Sequence, residues 1–258
     1  MTDTNSKQPP SSQYLIRDLR IAIAFLTRLP IAGAEGGLAA ASWAFPVAGL
    51  LVGVCGGLAF GLSLGIGAPG AVAALIALAA TAIVTGALHE DGLADTADGF
   101  GGGTTPERKL EIMRDSRSGA FGVLALVFSV ALRAAALAAI HQTDAAVAAL
   151  IAAAALSRGL LPAVMNVLPI ASSTGLAAAA GRPPNGTAWV AAGIGAIAAL
   201  VLLGPGAGIA AIILACVAVT GLAVLARRQI GGYNGDTLGA AQQVAEAAVL
   251  VAAAAQFA

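Results

Sequence analysis

Long apolar stretches alternate with polar connections along most of the chain. Seven of these stretches are residues 43–65, 69–88, 120–140, 144–162, 187–203, 206–226 and 237–257. Most are close to the roughly 20 residues that an α-helix needs to cross a bilayer. None alternates between apolar and polar positions as a membrane β-strand does. The pattern predicts an all-α, polytopic membrane bundle of about seven transmembrane helices.

The N-terminal region differs from the rest of the chain. It begins with a polar segment rich in Pro and Ser, and we expect a disordered cytoplasmic tail over residues 1–18 and no secretory signal. The apolar stretch at residues 19–30 is interrupted by Arg28 and is too short to span a membrane. We therefore predict a short interfacial helix there, and a single membrane-embedded catalytic domain over residues 19–258.

The connections between the apolar stretches differ in charge. Three of them contain no Lys or Arg: residues 66–68, 141–143 and 204–205. Eleven of the 13 basic residues lie in the N-terminal stretch and in the other three connections: residues 89–119, 163–186 and 227–236. Because cytoplasmic loops of membrane proteins are rich in Lys and Arg, we predict a cytoplasmic N-terminus. The active site would face the cytoplasm, and the C-terminus would lie outside.

Composition supports the membrane assignment. Hydrophobic residues make up 59% of the chain, charged residues make up 10%, and the net charge is zero. Soluble proteins contain about 25% charged residues, so a water-soluble domain is excluded. The 33 glycines suit closely packed membrane helices. Helix faces of small residues also permit association into a homo-oligomer. We expect the chain to contact the lipid bilayer and to bind no nucleic acid.

The densest polar cluster is at residues 89–99, His-Glu-Asp-Gly-Leu-Ala-Asp-Thr-Ala-Asp-Gly. On a helix, Asp91, Asp95 and Asp98 fall within an arc of about 60°. Carboxylates at this spacing repel one another unless a cation compensates, and Mg²⁺ favours a few carboxylates together with substrate phosphates. The spacing indicates metal-dependent transfer of a phosphate-containing group. The alternative is a solvated helix end or a helix cap.

The same connection ends in a second polar motif, Arg-Asp-Ser-Arg-Ser-Gly, at residues 114–119. Asp115 or Ser116 would cap the helix that follows. Arg114 and Arg117 would bind phosphate oxygens through their guanidinium groups. The two interpretations are compatible.

A third motif, residues 231–240, joins the last two apolar stretches, and Asp236 is its expected helix N-cap. Gln243 and Glu246 continue the same helix face into the membrane, where a carboxylate must face the bundle interior. We predict that Glu246 pairs with Arg133, one of two arginines inside apolar stretches. The other, Arg158, lies near the cytoplasmic end and is expected to reach a phosphate.

These motifs, in this order, resemble those of the cobalamin synthase family of adenosylcobinamide-GDP ribazoletransferases. The matching segments are residues 25–30 (Phe-Leu-Thr-Arg-Leu-Pro), 45–49 (Phe-Pro-Val-Ala-Gly), 89–99, 113–119, 157–158 and 231–240. The resemblance implies an integral enzyme of the bacterial inner membrane, in which α-ribazole, or its 5′-phosphate, attacks adenosylcobinamide-GDP and GMP leaves. It implies Mg²⁺ as cofactor and completion of the nucleotide loop of cobalamin.

The resemblance also suggests roles for individual residues. Asp91, Asp95 and Asp98 occupy the acidic positions of the family, and we expect them to be catalytic and to hold Mg²⁺. Asp236 would accept the proton of the ribazole hydroxyl, with Asn234 beside it in the substrate site. The expected substrate-binding arginines are Arg114, Arg117 and Arg158.

Two other functions share some of these features. CDP-alcohol phosphotransferases also use spaced aspartates, but their motif requires Arg where this chain has Asp95. A small-molecule transporter would explain charged residues inside the membrane, but the chain shows no internal repeat and its acids cluster toward one surface. A purely structural membrane protein would leave the stripe of aspartates unexplained.

Overall fold

The computed structural model describes residues 12–31, 34–172 and 175–258, and within these ranges the protein forms helices and no β-strands. The α-helices are α1 (Ser12–Leu26), α2 (Leu38–Ala41), α3 (Phe45–Gly65), α4 (Gly70–Thr85), α5 (Leu88–Gly102), α6 (Pro106–Met113), α7 (Ala120–Ala139), α8 (Thr143–Val167), α9 (Leu176–Ala180), α10 (Asn185–Ile230) and α11 (Gly235–Phe257). A 3₁₀ turn at Ser42–Ala44 joins α2 to α3.

Among the residues that the structure describes, five helical segments are long and apolar enough to cross a membrane: Leu38–Gly65, α7, α8, α10 and α11. The pair α4 and α5 makes a sixth when it is counted as one broken span, although the two helices are bent by 93°. The predicted all-α membrane bundle is confirmed. The count of seven spans stays a prediction.

Helix α10 folds back on itself near its middle. Gly204 has φ 76° and ψ 170°, a conformation that no helix contains and that suits glycine, and Pro205 follows it. A Cβ added at Gly208 would lie 2.9 Å from the carbonyl oxygen of Ala199. In a continuous helix these two residues would be separated by about 13 Å along the axis. The segments on either side of Gly204 therefore pack side by side, in agreement with the two apolar stretches predicted there.

Helix α1 begins earlier than the sequence predicted. Residues 12–18, assigned above to a disordered tail, form its first turns, whereas residues 1–11 lie outside the described ranges. Asp18 is 8% exposed, and its carboxylate accepts hydrogen bonds from Arg17 and from the indole nitrogen of Trp43 at 3.1 Å. The contact with Trp43 attaches the start of α1 to the bundle, and it joins residues too far apart in sequence for a local pattern to reveal.

Helix α8 lies at the centre of the bundle, packed against α3, α10 and α11. Small residues permit this packing: a Cβ at Gly53 would lie 2.5 Å from the Cα of Ile151, and a Cβ at Gly195 3.0 Å from the Cα of Leu156. Close backbone approach of this kind stabilises membrane helix pairs, which gain little from apolar burial in lipid. Helices α5 and α7 complete the bundle against α11.

Candidate active site

Helices α5 and α11 cross with their backbones almost in contact. A Cβ at Gly92 would lie 2.7 Å from the carbonyl oxygen of Asp236, and a Cβ at Gly239 would lie 3.2 Å from the Cα of Gly92. Gly92 is thus required for this crossing, and Gly239 keeps the facing contact from becoming tight. Because Asp91 and Asp95 flank Gly92 on α5, the crossing brings both of them to the first turn of α11, where Asp236 lies.

The start of α5 is set by a sharp bend after α4. Gly86 and Ala87 both adopt left-handed conformations, with φ 65° and 56°, and the 93° bend between the two helices follows. Left-handed backbone is unfavourable for alanine, so the surrounding structure must hold this turn in place. The bend turns the axis of α5 away from that of α4. By itself, α5 is not one of the five helices that are long and apolar enough to cross a membrane.

The carboxylates of Asp91, Asp95 and Asp236, here called the acidic cluster, lie close enough together to repel one another. Burial raises the pKa of Asp95 from 3.8 to about 7. The negative charges of Asp91, Asp236 and Asp98 act in the same direction. Asp91 itself is exposed, and Asp95 and Asp236 are partly buried. The cluster therefore favours uptake of a cation or of a proton.

Within the part of the chain that the structure describes, no three His, Cys, Asp or Glu side chains come together as a ready-made metal site. Mg²⁺ is commonly held by one or two protein carboxylates, with substrate phosphates and water supplying the other oxygens. The donor chemistry of Asp91, Asp95 and Asp236 fits this incomplete type of site. It does not form a closed protein cage.

Asp98, the third predicted metal ligand, has a different environment. Its side chain is buried, Oδ2 accepts a hydrogen bond from the Gly119 amide at 2.6 Å, and Oδ1 accepts one from the Gly122 amide at 2.8 Å. Asp98 therefore caps the N-terminus of α7 from a neighbouring helix. The predicted cap by Asp115 or Ser116 is wrong, because the N-cap residue is Gly119, which has no side chain.

The arginines of the second motif separate in the structure. Arg117 is 87% exposed, and its guanidinium makes two hydrogen bonds with Asp115, at 3.0 and 2.7 Å. These hydrogen bonds hold the pKa of Asp115 at about 2. The structure thus does not bring Arg117 to the acidic cluster. Arg114 is closer to it: its positive charge acts on Asp236, and its Nη2 donates to Ser172 Oγ at 2.8 Å.

Asn234, predicted in the substrate site, orders the start of α11. Its Oδ1 accepts a hydrogen bond from the Thr237 amide, and Thr237 Oγ1 accepts one from the Asn234 amide, both at 2.9 Å. Asn234 is therefore the N-cap in a capping box, and the prediction that Asp236 is the cap is wrong. The Nδ2 of Asn234 also donates to Asp236 Oδ2 at 2.8 Å, which fixes the orientation of this carboxylate.

A buried polar network lies in the bundle, built from α5, α7, α8 and α11. The predicted Arg133–Glu246 ion pair is confirmed at 2.9 Å. Arg158 is 2% exposed and lies 3.7 Å from the other oxygen of Glu246. This geometry assigns Arg158 to the network and not to the predicted phosphate contact. The remaining members are Glu90, Ser129, Ser157, Gln242 and Gln243.

A cavity of about 190 Å³ adjoins the acidic cluster, with Asp91 and Asp236 in its lining. Its walls are otherwise mainly apolar and include Phe25, Leu26, Phe45, Leu161, Met165 and Ala180. The rings of Phe25 and Phe45 are stacked at a centroid distance of 6.1 Å. His89 also lines the cavity, is 2% exposed, and has no hydrogen-bond partner for either ring nitrogen among the described residues. Sequence reasoning gave His89 no role, because it belongs to no metal-ligand spacing.

Comparisons with known proteins agree with these features. A family model described as cobalamin-5-phosphate synthase matches residues 18–254. The adenosylcobinamide-GDP ribazoletransferase of Bradyrhizobium diazoefficiens is 51% identical over 245 residues, which cover 93% of this chain and 94% of the relative. The protein of the same name from Mesorhizobium japonicum is 49% identical, with 94% and 95% covered. No solved structure gives a significant match.

Proposed function

The chain belongs to the cobalamin-5-phosphate synthase family, and we propose that it is an adenosylcobinamide-GDP ribazoletransferase. It transfers the adenosylcobinamide phosphate group from adenosylcobinamide-GDP to α-ribazole or α-ribazole 5′-phosphate and releases GMP. This reaction completes the nucleotide loop in cobalamin biosynthesis. The observation that carries the proposal is the convergence of Asp91, Asp95 and Asp236 at the Gly92–Gly239 crossing, in a chain that matches the family over residues 18–254.

The reaction exchanges one bond at phosphorus for another. The ribazole hydroxyl oxygen forms a bond to the phosphorus that carries the cobinamide, and the bond from this phosphorus to the bridging oxygen breaks. GMP leaves with that oxygen. The hydroxyl proton needs an acceptor, and Asp236 takes this role because Asn234 orients its carboxylate beside the cavity.

Asp91 and Asp95 are the residues that would hold Mg²⁺. The ion, when bound, supplies positive charge that stabilises the negative charge developing on the leaving GMP. The surroundings of Asp95 support this assignment: burial first, and then the negative charges of Asp91, Asp236 and Asp98, raise its pKa to about 7, and a bound cation would compensate those charges. Arg114 is the phosphate contact among the predicted arginines. Asp98 positions α7 relative to α5 and is not needed as a ligand.

The test uses the full chain in lipid nanodiscs with adenosylcobinamide-GDP, α-ribazole and Mg²⁺. GMP should be released only when α-ribazole is added. Asp91→Asn and Asp95→Asn should each lower turnover by about 100-fold or more, because charge stabilisation at the leaving group is lost. Asp144→Asn is the matched control, since Asp144 is an exposed acid in the first turn of α8, outside the site, and it should keep normal turnover.

Two outcomes would contradict the proposal in different ways. Wild-type protein that does not couple GMP release to α-ribazole would refute the function itself. Well-folded Asp91→Asn and Asp95→Asn variants with normal turnover would refute the metal assignment alone. Counterflow of a substrate across vesicles without product formation would favour the transporter.

A further inference from the structure

The cavity beside the acidic cluster is small in relation to the proposed substrates. Its volume of about 190 Å³ is below the roughly 300–1,000 Å³ of pockets that hold drug-sized ligands. It can take one small ring system, but not a corrinoid. Its apolar walls and the stacked rings of Phe25 and Phe45 suit a flat aromatic group.

His89 lies at the wall of this cavity but does not present its ring nitrogens to it. Both nitrogens are buried without a partner among the described residues, and the positive charges of Arg158 and Arg133 act on the ring. The polar groups that the cavity wall offers are therefore the carboxylates of Asp91 and Asp236.

We propose that this cavity binds the aromatic base of the attacking nucleoside, an apolar bicyclic base such as the benzimidazole of α-ribazole. This inference rests on the proposed function and adds a subsite to it. Asp91 and Asp236 also line the cavity, so the ribose of a base held there stays beside them. The hydroxyl nucleophile would then lie next to the acidic cluster.

The chemistry of the walls favours this base over guanine and adenine, the other aromatic bases in the reaction. A benzimidazole presents one free ring nitrogen and an otherwise apolar edge. Guanine and adenine each present several donors and acceptors, and burying them against apolar walls without partners is unfavourable. Among the described residues of the lining, the carboxylates of Asp91 and Asp236 are the polar side-chain groups open to a ligand.

The first test fills the cavity from the short helix α9. Ala180 lines the cavity, whereas its neighbour Ala179 is exposed. In nanodiscs, Ala180→Leu should raise the KM for α-ribazole by about tenfold or more, since the added side chain occupies space that the base needs. The KM for adenosylcobinamide-GDP should stay within about twofold of wild type. Ala179→Leu should change neither value.

A second measurement needs no variant. Free 5,6-dimethylbenzimidazole, added to the wild-type enzyme, should inhibit competitively against α-ribazole and not against adenosylcobinamide-GDP. A KM effect of Ala180→Leu on adenosylcobinamide-GDP instead, or competition by guanosine for the same site, would overturn the inference in favour of the leaving nucleotide. Absence of inhibition by the free base would also overturn it. In each of these cases wild-type GMP release would still depend on α-ribazole, so the proposed function would stand.

Discussion

The three aspartates of α5 share one face of the helix but differ in what their carboxylates contact. Asp91 and Asp95 face other negative charges, whereas Asp98 accepts hydrogen bonds from two backbone amides of α7. Helical spacing alone predicted the shared face correctly. It could not separate the three roles, because the amides of Gly119 and Gly122 lie more than 20 positions further along the chain. Distance in sequence likewise concealed the approach of Arg158 to Glu246.

Because Asp98 caps α7, its replacement should lower the stability of the protein even in the absence of a metal ion. Loss of a metal ligand would not have this effect. Asp98→Ala leaves the Gly119 and Gly122 amides without their acceptor, and a lost cap costs about 0.5–2 kcal/mol. The thermal unfolding midpoint in detergent should fall even without divalent cations. Asp144→Ala, which removes an exposed acid from the first turn of α8, should change the midpoint little.

Activity measurements complete this test of Asp98. A high Mg²⁺ concentration should not restore the stability of Asp98→Ala. If the variant keeps the wild-type midpoint but needs much more Mg²⁺ for turnover, then Asp98 is a metal ligand and its assignment as a cap is incomplete.

At the scale of helices, the active site depends on one crossing of two elements. Apolar stretches predicted α7, α8, α11 and both segments of α10, because each follows from local composition. The prediction did not extend to the crossing of α5 with α11, which depends on Gly92 and Gly239 meeting in space. Glycine is common in this chain, so neither residue stands out in the sequence.

Gly92→Ala should therefore be harmful although alanine favours helices. Its Cβ would lie 2.7 Å from the carbonyl oxygen of Asp236, and backbone atoms cannot move aside as a flexible side chain can. We expect turnover to fall by about tenfold or more, since small displacements of reacting groups cost about two orders of magnitude in rate. Turnover and the unfolding midpoint should be measured on the same preparation.

Gly193→Ala in α10 is the matched control for this change. No atom lies within 4 Å of a Cβ at Gly193, and replacing a helical glycine with alanine stabilises a helix by up to about 1 kcal/mol. This variant should be as active as wild type and at least as stable. Equal activity of the Gly92 and Gly193 variants would show that the close crossing is not needed.

At the scale of the whole molecule, the motif-bearing connections gather at one end of the bundle. Pro169 and Ala171 form backbone hydrogen bonds with Tyr233, and Arg114 contacts Ser172, so three connections meet there. At the other end, the amide of His141 donates to the carbonyl of Phe257 near the C-terminus. The charge pattern of the sequence predicted this segregation, and the proposal that the acidic end faces the cytoplasm follows from it.

Labelling of single cysteines would test this orientation. In a background without Cys55 and Cys216, Ser118→Cys marks the acidic end and Gln142→Cys the opposite end, and both positions are exposed. A membrane-impermeant maleimide should label Ser118→Cys in inverted inner-membrane vesicles and Gln142→Cys in spheroplasts. The reverse pattern would place the site outside and contradict a cytoplasmic active site.

The buried network also constrains how the chain is assembled in the membrane. Helix α11 is the least apolar of the five single spans, and it contains Gln242, Gln243 and Glu246, all of them buried. Its partners Arg133 and Arg158 belong to α7 and α8, which are synthesised first. Polar residues inside a bilayer are costly until they pair. Helix α11 therefore depends for stable insertion on helices already in place. A nascent chain that lacks it would hold Arg133 and Arg158 without Glu246, with Glu90 of α5 as the remaining carboxylate, 3.7 Å from Arg133, a state suited to recognition by membrane quality control.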